Sequence, residues 1–179
     1  MDLKEQILQE VKDDYDKKMK KASTTEKKIS LICFSIFVVA LIISRFVLIV
    51  TTSGESMLPT LHEKEYYICN KCIQDFNYDD IVLIKLYKNN PFGAKIIKRV
   101  VGLPGDTLYI SDGILYINNE QENRSFELID NPGMLSEPYT LKENEYFCMG
   151  DNRNHSSDSR EFGAFEAKQI EGKLTKKIH

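Results

Sequence analysis

Little in this sequence can hold a metal. It carries four cysteines and three histidines. Cys69 and Cys72 form a C-x-x-C, but no second pair and no nearby histidine completes a tetrahedral set, which argues against zinc. A redox C-x-x-C opens a helix, whereas YICNKCI has the composition of strand and turn. The pair reads as ordinary packing, with a disulfide outside the cell as the open alternative. An excess of base is missing too. The net charge is -3 and no face or tail concentrates Lys and Arg, which argues against a general nucleic-acid binder. No internal repeat or low-complexity tract occurs. Beyond Val50 no segment has a long helical period, although FEAKQIEGKL near the end has room for a turn or two.

What is present is unevenly spread. Residues 1–28 are dominated by Lys, Asp and Glu with sparse apolar positions (Leu3, Ile7, Leu8, Val11), the spacing of a weakly amphipathic, solvated helix. Residues 29–50 then read ISLICFSIFVVALIISRFVLIV, 22 residues with one charge. At ~1.5 Å per residue this run spans roughly 33 Å, enough for a bilayer core of about 30 Å. It is too long, and its preceding arm too large, for a cleaved signal peptide. Arg45 lies near the outer end, where it can snorkel towards the headgroups. Lys17, Lys18, Lys20, Lys21, Lys27 and Lys28 crowd the N-terminal flank against one acid, Glu26, between residues 17 and 28. The positive-inside rule predicts a cytoplasmic N-terminus and an external domain over residues 51–179.

That domain reads as mostly β. YYICNKCI, DIVLIKLY, AKIIKRVVG and EYFCMG are short, rich in Ile, Val, Tyr and Phe, and bounded by turn signals. TLYISDGILYINNEQE is a hairpin in outline around Asp112-Gly113, and Leu103-Pro104-Gly105-Asp106 is a second tight turn. Residues 119–144 are polar and irregular, which predicts a surface excursion.

Three segments could carry chemistry. In SGESMLPTL, residues 53–61, Ser56 is either a turn residue or a nucleophile that needs a base. His62, His155 and His179 have no acid spaced to orient them and read as surface residues. Lysine is the other base, provided that apolar surroundings lower its pKa from about 10.4. Lys98 has Ile96 and Val100 as same-face neighbours, and Arg99 has Ile97 and Val101, so alternation alone cannot choose between them. Arginine does not deprotonate in proteins, so only Lys98 can be a base. A solvent-facing Lys-Arg pair on an edge strand is the plain alternative. Residues 150–163, GDNRNHSSDSREFG, would serve as a bland turn-forming loop. Yet Asp158 and Arg160 can form a charge-assisted pair that fixes it, with Ser156 then free to orient a neutral lysine.

SGESMLPTL, KRVVGLPGD and MGDNRNHSSDSREFG, in this order behind an N-terminal anchor, resemble the bacterial type I signal peptidases. These are membrane-bound serine proteases that remove signal peptides from exported proteins. The resemblance covers roughly residues 45–165 and is nearest to the Gram-positive form. It implies two antiparallel β-sheets behind one transmembrane helix, with an apolar surface resting on the membrane. It further implies Ser56 as nucleophile, Lys98 as general base and Ser156 as the residue orienting that lysine. Asp158 and Arg160 match the supporting ion pair, Asp151 the leading acid of the third motif, and Met57 and Pro59 the turn beside the nucleophile. Some members carry a serine two residues before the nucleophile that helps bind the oxyanion. Here that place is Gly54, as in many Gram-positive-type members, and Ser53 is one residue out of step. The oxyanion then falls mainly to the Ser56 N–H, and one missing donor of ~3 kcal/mol needs a substitute. The implied partners are signal peptides of translocated preproteins, membrane lipid and nearby secretion machinery, with no nucleic acid, cofactor or metal. Two other readings stay open: a related Ser-Lys protease with a narrow client such as a pilus, matrix or conjugation protein, and a non-enzymatic membrane-tethered β binding domain.

Overall fold

The computed structural model describes residues 3–86, 94–123 and 126–178. The chain divides into two units, Met1–Arg45 and Phe46–His179. Helix α1 (Leu3–Phe46) makes up the first, so the charged arm and the apolar run share one continuous helix. Its most apolar 18-residue window has a mean hydropathy of 2.5, long and apolar enough to cross a membrane. The side chains of Ile29, Leu31, Phe34, Phe37 and Leu41 are all exposed.

The helix ends at Phe46, not at the Val50 that hydropathy suggests. Val47–Thr51 is strand β1, and each of its residues pairs with a residue of β2 (Tyr66–Asn70), from Val47 with Asn70 to Thr51 with Tyr66. VLIVT is rich in β-branched residues that fit a pleated surface, whereas hydropathy scores an apolar helix and an apolar strand alike.

The second unit holds two antiparallel sheets. Among the described residues seven strands form the larger, in the order β1, β2, β11 (Ile170–Ile178), β3 (Ile81–Lys85), β4 (Lys95–Gly102), β9 (Glu145–Met149) and β10 (Phe165–Glu166). The smaller runs β7 (Glu120–Gln121), β6 (Ile114–Ile117), β5 (Thr107–Ser111) and β8 (Tyr139–Thr140). The β5–β6 hairpin turns at Asp112-Gly113 with φ of 51° and 75°, the left-handed pair that a two-residue turn requires.

Two stretches differ from the sequence expectation. Residues 119–144 are not only a surface excursion: they include β7 and β8 and bury Ile129, Leu135 and Leu141 in one core with Leu108, Phe147 and Met149. Isolated apolar residues in a polar tract carry no period to read. Within FEAKQIEGKL, Ala167–Gln169 makes one helical turn, of the 3-10 type. β11 follows, and Ile170, Gly172 and Leu174 are buried in strict alternation. A second core joins Val82, Val100, Cys148 and Phe165, and a third joins Val50, Met57, Leu61, Cys69, Leu83 and Leu174. All four cysteines are free thiols, Cys69 buried and Cys72 exposed.

Candidate active site

Ser56 sits on the loop between β1 and β2, and that loop is closed at its neck. Thr52 N–H donates to Glu65 O at 2.9 Å, Lys64 N–H donates to Thr52 O at 2.9 Å, and the Thr52 hydroxyl donates to His62 O. Beyond the neck, Met57 and Leu61 are buried in the third core, and Leu61 N–H donates to Met57 O at 3.0 Å. The serine is thus fixed from both sides. Gly54 has φ +82° with no atom within 4 Å of where a Cβ would stand. Its conformation, not crowding, selects glycine there. Among the described residues the Ser56 N–H has no intramolecular acceptor.

Lys98 reaches this loop from β4. Its Nζ lies 2.6 Å from Ser56 Oγ, in hydrogen-bond contact, and the residue is only 3% exposed. Burial lowers its pKa below the ordinary 10.5; the negative charges of Asp158 and Asp151 oppose that shift and the Arg160 guanidinium adds to it. A neutral amine held against a hydroxyl can take its proton, and the resulting ammonium can return one.

Arg99, the next residue, is equally buried but serves a different partner. Its Nε donates to Asp151 Oδ1 at 2.7 Å, its Nη2 to Asp151 Oδ2 at 2.5 Å and its Nη1 to Asp79 O at 2.8 Å. Thr60 adds its hydroxyl to Asp151 Oδ2 at 2.5 Å. This bidentate pair ties the strand of Lys98 to the loop of Ser56 and to the segment after β9. Asn152 strengthens the seam: its N–H donates to Ser56 O at 3.1 Å and its Nδ2 to Glu55 O at 3.1 Å.

Asp158 organises the rest of that segment. It accepts from Arg160 Nε at 2.9 Å, Arg160 Nη2 at 2.9 Å, Gly150 N–H at 3.0 Å and the Ser156 hydroxyl at 2.8 Å. Burial pushes its pKa up, but the Arg160 guanidinium and these donors outweigh burial and hold it below the usual carboxylate range. Gly150 is pinched between the Ser156 side chain and Ser56 O, which a Cβ would strike. The fully buried Arg153 clamps the far side. It donates to both Glu122 carboxylate oxygens at 2.7 Å, donates from Nε to Gly150 O, and lies 4.0 Å from the Phe126 ring centre.

A cleft of about 370 Å³ opens beside the pair, lined among others by Val50, Thr52, Gly54, Met57, Leu83 and Ile97. β1 is the outermost strand of its sheet, and β9 pairs with β4 only from Arg99 onward. Among the described residues, both β1 and residues 95–98 therefore leave a free backbone edge beside the cleft, which an extended peptide could pair with.

The structure brings together Ser56, Lys98, Asp151, Asp158 and Arg160, with Met57 packed beneath the loop. Ser156 differs from the sequence expectation: its hydroxyl goes to Asp158, and among the described residues it makes no bond to Lys98. The sequence reading missed Arg99, Thr60, Asn152 and the Arg153–Glu122 clamp. A buried Asp in need of a counter-charge was the signal for Arg99. Neither internal histidine joins the serine: His62 faces Glu65 at 3.8 Å and His155 is exposed.

A family model described as signal peptidase, peptidase S26, matches residues 25–178. Signal peptidase I S of Bacillus subtilis (strain 168) is 36% identical over 154 residues, 75% of this chain and 79% of that protein. Signal peptidase I of Bacillus amyloliquefaciens is 37% identical over 132 residues, 66% of this chain and 69% of that one. Signal peptidase I P of Bacillus subtilis subsp. natto is 31% identical over 171 residues, 88% and 91% of the two chains. A crystal structure of a signal peptidase I from Enterococcus faecalis V583 shares 31% identity, covers 57% of this chain and 99% of its own, and gives a TM-score of 0.44.

Proposed function

The chain belongs to the signal peptidase family, peptidase S26, and on that premise we propose that it cleaves signal peptides with Ser56 as nucleophile and Lys98 as general base. One observation carries the assignment: a buried lysine, its pKa lowered, lies 2.6 Å from the hydroxyl. Neutral Lys98 takes the Ser56 proton while Oγ attacks the scissile carbonyl carbon. The ammonium then gives that proton to the leaving amine, and the acyl group stays on Ser56 as an ester. In the second half Lys98 takes a proton from water, hydroxide attacks the ester, and the proton returns to Oγ as the acid product leaves. The Ser56 N–H, which has no acceptor among the described residues, supports a role as oxyanion donor.

Asp151, Asp158, Arg160 and Ser156 act as positioning residues, because each is bonded to the frame around the pair and not to Ser56 Oγ. The apolar cleft and its two free strand edges support an extended substrate with small residues before the cut. For α1 the reading is a single membrane span that begins near Ile29 and ends with the helix at Phe46. Residues 1–28 are its cytoplasmic arm, on the lysine-rich flank, and residues 51–179 lie outside. Ser56 follows the helix by ten residues (56 − 46), so lipid-anchored substrate and enzyme meet in two dimensions beside the secretion machinery.

The test is cleavage of a preprotein in detergent by the full chain. Ser56→Ala and Lys98→Ala should each lose activity by about 10⁴-fold or more while staying folded by circular dichroism. Full activity in either variant contradicts the assignment.

A further inference from the structure

Resting on the reading above, we infer that Asn152 is a positioning residue for the oxyanion donor: its side-chain amide sets the plane of the Glu55–Ser56 peptide and so aims the Ser56 N–H. Asn152 Nδ2 donates to Glu55 O at 3.1 Å. A carbonyl oxygen only accepts, so the nitrogen end of that amide must face it. Glu55 O and the Ser56 N–H belong to one peptide unit, planar and trans, in which C=O and N–H point in opposite directions. Leu58 N–H also donates to Glu55 O, at 3.0 Å, and closes the turn from within. Asn152 holds the same oxygen from another segment of the chain. With its carbonyl fixed on that side, the peptide turns its N–H away from both donors, and among the described residues the N–H meets no acceptor there. An oxygen that accepts two hydrogen bonds also polarises its amide, which makes the N–H the stronger donor.

The need for such a hold lies at Gly54. It offers no hydroxyl to share the oxyanion, and its φ of +82° belongs to a residue type with more backbone freedom than any other. The Ser56 N–H is then the donor that must be well aimed. Asn152 is placed to aim it. Its neighbours on either side are buried and bound to different partners: Asp151 to Arg99 and Thr60, Arg153 to Glu122. The half-buried Asn152 between them is left little freedom, so its amide gives up little entropy in bonding Glu55 O. Its own N–H donates to Ser56 O at 3.1 Å, and a Cβ on Gly150 would strike the same oxygen. One residue thus grips the peptide on each side of the Ser56 Cα. A side-chain substitution at 152 spares the second grip, which is backbone to backbone, and releases only the first.

The experiment pairs a transition-state mimic with a ground-state ligand. A peptide aldehyde carrying the residues before the cut takes Ser56 Oγ at its carbonyl carbon. Lys98 accepts the hydroxyl proton, nothing leaves, and the former carbonyl oxygen becomes the oxyanion. Asn152→Ala and Asn152→Leu are made in the full chain. Leucine has nearly the shape of asparagine, carries no donor or charge, and occupies the space a replacement water would need. Relative to the wild type, kcat/KM should fall about fivefold for alanine and further for leucine, and aldehyde affinity should fall by the same factors. Binding of the uncut peptide, followed by fluorescence anisotropy with each variant in a Ser56→Ala background, should not change. The acid limb of kcat/KM should keep its midpoint, since Lys98 is not touched. An unchanged kcat/KM, an aldehyde affinity that does not follow it, peptide binding that weakens as much, or a displaced limb overturns the inference and leaves the proposed function standing. Cleavage that survives Ser56→Ala brings down the reading of Ser56 first, and the inference with it.

Discussion

Two neighbouring groups of buried charge are handled in opposite ways. In the segment after β9, Asp151 faces Arg99 and Thr60, Asp158 faces Arg160, and Arg153 faces Glu122, all with nearly inaccessible guanidinium groups. Every charge there has a counter-charge and further donors. Lys98 is just as buried, yet among the described residues its nitrogen makes no ion pair and touches only a neutral hydroxyl. Ion pairs tied down by several hydrogen bonds each make a rigid frame. An unpaired ammonium in the same interior is driven towards the neutral amine. Adjacent residues of one strand, Lys98 and Arg99, thus fall on the two sides of the division: one is fit for proton transfer, the other for support.

The sharpest way to break this comparison is to remove each cation in turn. Arg99→Met leaves Asp151 buried without its counter-charge and should cost about 3–5 kcal/mol of stability. Lys98→Met should act in the other direction at neutral pH. Because the folded pKa of Lys98 lies below 10.5, the unfolded chain binds more protons and the lysine penalises folding at low pH. That penalty fades as pH rises through the folded pKa towards 10.5. The advantage of the methionine variant should shrink in the same direction. Thermal unfolding of both variants beside the wild type at pH 7 and pH 9 checks the signs. Equal losses for the two would erase the distinction between frame and base.

Ser156→Ala probes the boundary between the two groups more gently. The hydroxyl bonds Asp158, so its removal should cost about 1 kcal/mol and reduce kcat through a looser frame. The acid limb of the kcat/KM profile should stay where it is. A limb displaced by this variant would mean that Ser156 acts on Lys98 itself, as the sequence resemblance implies.

Much of the molecule is legible in the sequence, for reasons that also explain what is not. Strands β2, β3, β4, β9 and the Asp112-Gly113 hairpin announce themselves through β-branched and aromatic runs between turn signals. Their chemistry is less open: taken alone, Lys98 and Arg99 read equally as a solvent-facing pair on an edge strand, and only the three motifs together single out Lys98. What escapes depends on partners far along the chain. Arg99 reads as a mere alternative to Lys98 until Asp151, fifty-odd residues away, comes to meet it. Ser156 looks like a lysine partner because sequence gives its proximity to the site but not the direction of its hydroxyl. β1 hides inside an apolar run that continues from the helix, and β11 hides behind lysines on its solvent face. Gly54 marks, on the resemblance, a missing oxyanion donor. In the fold it is a left-handed turn residue, a conformation in which any side chain would be strained.

The central claim is that Lys98 works as a neutral base, and the pH dependence of kcat/KM tests it most directly. A fluorogenic signal-peptide substrate would be assayed with the full-length wild type from pH 5 to pH 10. The account predicts a rate that rises with pH along a single-proton acid limb, with its midpoint below the ordinary lysine value of 10.5. A rate independent of pH between 5 and 9, or a limb centred at 10.5, would contradict it.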